Sequence, residues 1–398
     1  MKLLLNIFGI LVVLAVAWLL SWDRKNIPWK TVVRGIVVEF VIAFVLVKLP
    51  FGRLIVSTIS NVVTAVINCG QDGLNFVFGS LNDGTAGYIF IVQTLGNIIF
   101  VSALVGVLYY LGILGVVVKF IGRAVGRLMD TTEVESFVAV ANMFLGQTDS
   151  PILVAKYLPD LTDSEVFVIL VSGMGSMSVS ILGGYNALGI PMETLLIASA
   201  MVPIGSILLS KIILPQTEAV KAIGSVKMDN KGSNGNLIDA LSEGASTGMT
   251  MVLAIAAGLV GVIGMISVIN LFLGFVNISL EQIFGYIFAP FGFLMGLEGE
   301  EILMEGRLLG TKLIANEFIA FQDLGGIIGA LDERTALVCA LSLCGFANVS
   351  SIGICVGGIG VLCPAKRPTL ARLVVRAMLA GVLVSLLSAM IVGVITLF

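Results

Sequence analysis

Two carboxylates stand where the flanking sequence is apolar. Asp149 lies in Gly146-Gln147-Thr148-Asp149-Ser150-Pro151, with Phe137–Leu145 leading in and Ile152–Leu158 leading out. Glu317 lies in Asn316-Glu317-Phe318, with Ile302–Ala315 before it and Ile319 onward after it. A carboxylate among apolar neighbours is costly unless paired, hydrated or neutralised, so each marks either a wet functional cavity or a helix start whose dipole favours it. The neighbours lean towards the cavity. Gln147 and Thr148 add an amide and a hydroxyl beside Asp149, a donor and acceptor set suited to a flat polar ligand. Asn348 and Ser351 are three apart, hence on one face if helical, and Gly353, Gly357 and Gly358 follow them. Phe346 beside Asn348 is either a stacking surface for a heterocycle or core. Asn142 and Ser176 are neutral oxygen donors of the kind that hold Na+ together with freed backbone carbonyls. The competing reading for these small polar residues is helix–helix packing. Their concentration at four corresponding places favours a binding site.

Other chemistries are excluded by what is missing. Histidine is absent, which removes zinc sites of the H-E-x-x-H kind, Ser–His and Cys–His pairs, and imidazole proton relays. The cysteines, Cys69, Cys339, Cys344, Cys355 and Cys363, have no C-x-x-C spacing and read as small buried hydrophobes. No Lys/Arg-rich run suggests nucleic acid. Glu298, Glu300, Glu301 and Glu305 read as a solvated charge run, and Met174 and Met177 as packing.

The elements that must position these residues are membrane helices. Of the 398 residues, 58% are hydrophobic and 12% charged, against roughly 45–50% and about 25% in soluble domains. Apolar runs long enough to span a bilayer occupy about 3–22, 31–50, 88–118, 164–189, 193–214, 246–275, 335–362 and 370–397. Met1–Trp22 has only Lys2 before its apolar run and no small-residue cleavage site, so it reads as a retained first span. Eight spans place both termini on one side. Arg24, Lys25 and Lys30, then Lys119, Arg123 and Arg127, then Lys211, Lys221, Lys227 and Lys231, then Lys366, Arg367 and Arg372 follow the odd spans. By the positive-inside rule that side is cytoplasmic and both termini are external. Residues 53–80, with Asn61, Asn68, Gln71, Asp72 and Asn75, read as an amphipathic helix lying at the interface. Residues 134–158 and 298–329 are too polar in their middles to cross and read as two re-entrant hairpins.

An internal repeat links the two hairpins. Aligning Ser178 with Asn348 also matches Val179 with Val349, Ser180 with Ser350 and Gly183 with Gly353; it puts Asp163 on Glu333 and Asp149 within two positions of Glu317. A single span separates the halves, so the repeats are inverted in the membrane. Inverted repeats with broken helices point to the binding site of a secondary transporter. The expected fold is an all-α membrane protein of eight transmembrane helices and two re-entrant hairpins, with helices 4 and 7 broken.

At these motifs the sequence resembles the concentrative nucleoside transporter family, from about residue 80 to the end. Gly146-Gln147-Thr148-Asp149-Ser150-Pro151 is similar to the family's Gly-Gln-Thr-Glu-Ala-Pro. Gly310-Thr311-Lys312-Leu313 with Asn316-Glu317-Phe318 resembles its second-hairpin signature, and Gly345-Phe346-Ala347-Asn348-Val349-Ser350-Ser351-Ile352-Gly353 its unwound seventh span. The resemblance implies a homotrimer in the cell membrane whose subunits each carry nucleoside by an elevator motion. It implies that Gln147, Thr148 and Asp149 meet the base with Ile181 and Phe346 nearby, that Glu317, Asn348 and Ser351 meet the ribose, and that Na+ sits on Asn142, Ser176 and the carbonyls of Leu145 and Met177. It divides the chain into scaffold helices 1–3 with interfacial segments (1–132), transport repeat 1 (133–214), a cytoplasmic linker (215–245), scaffold helix 6 with an interfacial segment (246–297) and transport repeat 2 (298–398). Position 149 departs from the pattern as Asp for Glu, shortening the reach by one C–C bond of about 1.5 Å, and Ser150 replaces Ala. A bridging water or a different accepted base would take up that gap.

The expected function is cation-coupled nucleoside symport, with Na+ as driver and no other cofactor. The alternatives are H+ coupling and the same architecture carrying a nucleobase or another solute. An intramembrane aspartyl protease would need two Asp on facing spans, one in a Gly-x-Gly-Asp setting, which Asp149 lacks. The chain therefore reads as a transporter rather than an enzyme.

Overall fold

Apolar runs set the helices, while glycines, prolines and polar caps end them. The computed structural model describes residues 1–221, 223, 226 and 234–398. Lys227, Lys231 and the hydrophilic run 230–233, counted above in the linker, lie outside the described residues. Among the described residues every regular element is a helix.

The chain opens with α1 (Lys2–Leu19), α2 (Trp29–Val47) and α3 (Pro50–Phe78), the last started by a proline at its first turn, where a missing N–H costs nothing. The buried residues of α3, including Val56, Ser60, Ile67 and Leu74, recur at helical spacing on one stripe. The short α4 (Phe90–Gln93) precedes α5 (Asn97–Tyr110) and α6 (Ile113–Met129). The expected span 88–118 therefore stops early. Gly112, at φ +76°, turns the chain between Tyr110 and Ile113, a conformation a side chain would strain. Helix α6 buries Leu114, Val118, Val125 and Met129, leaving Lys119, Arg123 and Arg127 at other positions around it.

The first hairpin is α7 (Glu133–Ala141), a tip, and a returning 3-10 stretch at Ser150–Asp160. Pro159 sits inside that arm and cannot donate the bond an α-helix interior needs. Then come α8 (Asp163–Gly175), α9 (Val179–Ala187) and α10 (Met192–Ile213). Helix α11 (Leu237–Leu273) begins earlier than the expected 246, because Asn236 caps it by accepting from the Asp239 N–H at 3.0 Å. The chain continues with α12 (Leu280–Leu294), the second hairpin of α13 (Glu300–Ile314) and α14 (Glu317–Ile327), the broken pair α15 (Glu333–Leu343) and α16 (Val349–Leu362), and α17 (Arg367–Ile395).

Among the described residues seven helices are long and apolar enough to cross a membrane: six coincide with expected spans and the seventh is α3 with the turn after it, Pro50–Leu81. Helix α2, with Lys30, Arg34 and Glu39, and the broken pair α15 and α16 complete the expected eight. Both termini lie at one end of the bundle. There Lys2 pairs with Glu298 at 3.5 Å, and Thr396 lines a cavity of about 1390 Å3 with Lys48, Arg53, Glu193 and Arg334. At the other end the Trp22 N–H donates to Ile213 O at 2.9 Å, Arg376 donates to Leu20 O at 3.1 Å, and Lys221 pairs with Asp160 at 2.6 Å. Helices α1 and α2 pack on α10 and α17, whereas α5 runs along α11.

Candidate substrate and cation site

The repeat read from sequence is also a repeat of elements. Helices α8 and α15 start at Asp163 and Glu333, and α9 and α16 at Val179 and Val349, both pairs 170 positions apart. Their caps correspond as well: Thr162 accepts from the Glu165 N–H at 3.2 Å and Asp332 from the Thr335 N–H at 3.1 Å. Each pair breaks in the middle, after Gly175 and after Leu343. The breaks cross each other. The Phe346 N–H donates to Ser176 O at 3.1 Å, and Gly345, at φ +103°, lies so close that a Cβ there would sit 2.6 Å from Gly175 O. Only glycine fits that crossing.

The broken backbone leaves polar groups that the hairpin tips answer. Gln147 Nε2 donates to Ser351 Oγ at 3.2 Å, and the Cys355 thiol donates to Gln147 Oε1 at 3.4 Å. The Ser351 hydroxyl donates to Phe346 O, and its N–H donates to Asn348 Oδ1 at 3.0 Å, capping α16. Asn348 Nδ2 donates to Glu317 Oε2 at 3.2 Å, and the Tyr185 hydroxyl donates to Glu317 Oε1 at 2.8 Å. Glu317 is the first residue of α14, whose cap is Asn316. Gln147, Ser351, Asn348, Glu317 and Tyr185 thus form one buried chain of hydrogen bonds across both tips.

Thr148 and Asp149 lie at the edge of this chain. The Thr148 hydroxyl donates to Asp149 Oδ1 at 3.1 Å. Asp149 lines a second cavity, of about 550 Å3, with Leu145, Ser180, Tyr109 of α5 and Thr247 of α11. Ile181 is buried in the first turn of α9 and Phe346 in the second break. Five of the eight expected substrate residues are therefore connected directly or through one backbone carbonyl, and the others flank them.

The first break also gathers neutral oxygens. Asn142, at the end of α7, accepts from the Ser150 hydroxyl at 2.5 Å and donates to Ser172 Oγ at 2.9 Å. The Ser176 hydroxyl donates to Gly173 O at 3.1 Å, and the Val179 N–H donates to Phe144 O at 3.1 Å, tying tip to break. Ser178 Oγ is buried with no partner, and a Cβ on Gly146 would lie 3.1 Å from Ser178 Cβ. Met177 is buried and Leu145 half-buried. Among the described residues no group of three or more Cys, Asp or Glu could hold a metal ion; the oxygens gathered at this break are neutral. The donor set fits a hard monovalent cation.

Sequence reasoning missed two members. Tyr185 packs between Phe318 and Phe321, both ring centroids at 4.7 Å; a phenol in a short glycine-containing helix was the available signal. Lys312 is 1% exposed and donates to Ser342 O at 2.9 Å, Cys344 O at 3.0 Å and Ser385 Oγ at 2.9 Å. A lysine among apolar neighbours close to a hairpin tip should itself have marked a function. The solvated charge run also needs correcting: Glu305 is fully buried and accepts from the Ser342 hydroxyl at 2.5 Å.

Known proteins share this arrangement throughout. The family profiles described as Na+ dependent nucleoside transporter N-terminus, nucleoside recognition, and Na+ dependent nucleoside transporter C-terminus match residues 8–81, 91–192 and 194–393. The chain belongs to the Na+-dependent nucleoside transporter family. It is 38% identical to the uncharacterized transporter YutK of Bacillus subtilis over 99% of both chains. It is 33% identical to the nucleoside permease NupC of Helicobacter pylori, over 98% of this chain and 97% of that one. The structure of CNTnw in an inward-facing substrate-bound state matches with a TM-score of 0.95 at 33% identity, covering 100% of this chain and 99% of that one. As a member of a nucleoside transporter family, the protein is a multi-pass membrane transporter and not an enzyme.

Proposed function

We propose that the protein is a Na+-coupled nucleoside symporter whose two hairpin tips close on one nucleoside at the crossing of the two breaks. The observation that carries this reading is the chain from Gln147 to Tyr185. Its side chains satisfy one another without ligand, and Glu317, held by Tyr185 and Asn348, keeps lone pairs free to accept from a ligand's hydroxyls. Glu317 accepts on both carboxylate oxygens, as two vicinal ribose hydroxyls require, with Asn348 and Ser351 beside it. Gln147 and Thr148 offer amide and hydroxyl to a base, Phe346 and Ile181 offer apolar surface, and Asp149 accepts from a base or through water.

Na+ would take the oxygens of Asn142 and Ser176 with the carbonyls of Leu145 and Met177. Because the Val179–Phe144 bond ties tip to break, a cation held there would order Gln147 and Thr148. The tips and broken helices would move as one body against α5 and α11. We place α1 and α2 with that moving body, because they pack on α10 and α17, in place of the scaffold to which 1–132 was assigned. We take the assembly to be a homotrimer, as the resemblance implies, and read the Lys/Arg-rich end as cytoplasmic. A cysteine introduced at exposed Glu218, in a Cys69→Ser background, should resist an impermeant reagent in intact cells; ready labelling would invert the topology. Uptake of labelled uridine into proteoliposomes should require an inward Na+ gradient. Equal uptake without Na+ would sink the coupling.

A further inference from the structure

The two repeats answer the same structural need with different chemistry. The 170-position offset that aligns their helices puts Lys312 on Asn142, Ser342 on Ser172, and Glu305 on Glu135. Asn142 reaches from the first arm of hairpin 1 to Ser172 near the end of α8, at 2.9 Å. Lys312 reaches from the first arm of hairpin 2 to the corresponding place at the end of α15. There its ammonium meets Ser342 O, Cys344 O and Ser385 Oγ at 2.9, 3.0 and 2.9 Å.

Carbonyls in the last turn of a helix lack N–H partners and carry the negative end of its dipole, so a cation is stabilising there. In repeat 2 that cation is part of the chain. Glu305 accepts from the hydroxyl of the same Ser342 at 2.5 Å, which puts a carboxyl beside the serine whose carbonyl the ammonium meets. In repeat 1 the corresponding side chain is a neutral amide, and Glu135 is instead paired with Lys211. The buried Ser178 hydroxyl there has no partner. One break is thus closed by a tethered cation, and the other keeps its oxygens for an exchangeable one.

We propose that the Lys312 ammonium is a built-in cation filling, in repeat 2, the counterpart of the exchangeable cation site of repeat 1, so that each subunit couples to one exchangeable cation only. This rests on the cation reading of repeat 1 given above. It also makes Lys312 a positioning residue for the nucleoside: it fixes the Ser342–Cys344 backbone, from which Phe346, Asn348 and Ser351 follow.

The test substitutes the repeat-1 residue, Lys312→Asn, and measures nucleoside affinity by calorimetry over a Na+ series on the purified full-length protein. In the unsubstituted protein, log affinity should rise with log Na+ at a slope near one below saturation. In Lys312→Asn the slope should approach two, with affinity at low Na+ down about tenfold or more, a loss of about 1.4 kcal/mol, and recovered at high Na+. A slope near one with unchanged affinity in Lys312→Asn would overturn the proposal while leaving the coupling intact. A slope of zero in the unsubstituted protein would remove the coupling itself. The flux ratio of labelled Na+ to nucleoside in unsubstituted proteoliposomes decides even if the variant does not assemble: a ratio of one supports the proposal and a ratio of two overturns it.

Discussion

The two hairpins meet at the same crossing but are built to different stiffness. Hairpin 2 is two α-helices joined at Ala315 and Asn316, with Asn316 capping α14 by accepting from the Ile319 N–H at 3.1 Å. Its one functional carboxylate is held from two sides, by Tyr185 and Asn348. Hairpin 1 has nine α-helical residues, an irregular tip and a 3-10 return between prolines. Hydrogen-bond geometry in a 3-10 stretch is poorer than in an α-helix, so the first tip is the easier to deform. The difference teaches a division of labour. The stiff tip fixes a carboxylate where direction matters, and the soft tip carries the amide, hydroxyl and neutral oxygens whose order a cation can set.

Breaking the stiff side should cost most. Glu317→Gln should cut nucleoside affinity by about ten- to a hundredfold, since hydrogen bonds to a charged group contribute about 1.5–3 kcal/mol each. The amide would also keep only one of the two acceptors, turning its NH2 towards either Asn348 Nδ2 or the Tyr185 hydroxyl. Unchanged affinity in calorimetry would remove Glu317 from the ribose. Breaking the soft side should act through the cation. Asn142→Ala should raise the Na+ needed for half-maximal uptake by about tenfold, the effect of one lost ligand at about 1.4 kcal/mol. Saturating Na+ should restore nucleoside affinity; a loss that no Na+ repairs would place Asn142 on the nucleoside instead.

Tyr185→Phe sharpens the contrast. It removes one bond to Glu317 while keeping the ring packed between Phe318 and Phe321, so affinity should fall about threefold to tenfold, the range of one net hydrogen bond. Na+ affinity without nucleoside should not change. The smallest effect concerns the helix starts. Asp332 caps α15 at the bundle's end, and its bond from the Thr335 hydroxyl holds its carboxyl below the ordinary Asp range. A lowered native value contributes stability above the unfolded-state range and loses it as pH falls through the native value. Asp332→Ala should cost about 1 kcal/mol near neutral pH, as other lost N-caps do, and progressively less in acid. Nucleoside affinity should hold. A thermal-unfolding difference that grows with acid would contradict the cap.

Much of this was legible in the sequence because membrane burial leaves strong marks. Apolar runs marked most of the spans, and polar residues in the two hairpins and in the last broken span marked Gln147, Glu317, Asn348 and Ser351. The register between Ser178 and Asn348 proved to be the register of whole elements. Less legible was anything that depends on which side of a helix packs. Lys312 lies in a motif quoted for its resemblance, yet its partners are backbone carbonyls some thirty residues away, which no side-chain pattern announces. Glu305 looked like its acidic neighbours because only burial separates it from them. Gly112 and the two prolines of hairpin 1 redirect the chain locally, where hydropathy alone continues smoothly.

The central claim is that cation and nucleoside meet at one crossing and bind interdependently. Binding of two coupled ligands is reciprocal: each must tighten the other by the same factor. Calorimetry of nucleoside binding across a Na+ titration, repeated as Na+ binding with and without nucleoside, measures both factors on one protein. The account predicts that nucleoside affinity rises with Na+ and that the two factors agree. Nucleoside affinity that ignores Na+ but depends steeply on pH would contradict it, and would make Asp149 or Glu317 a proton carrier.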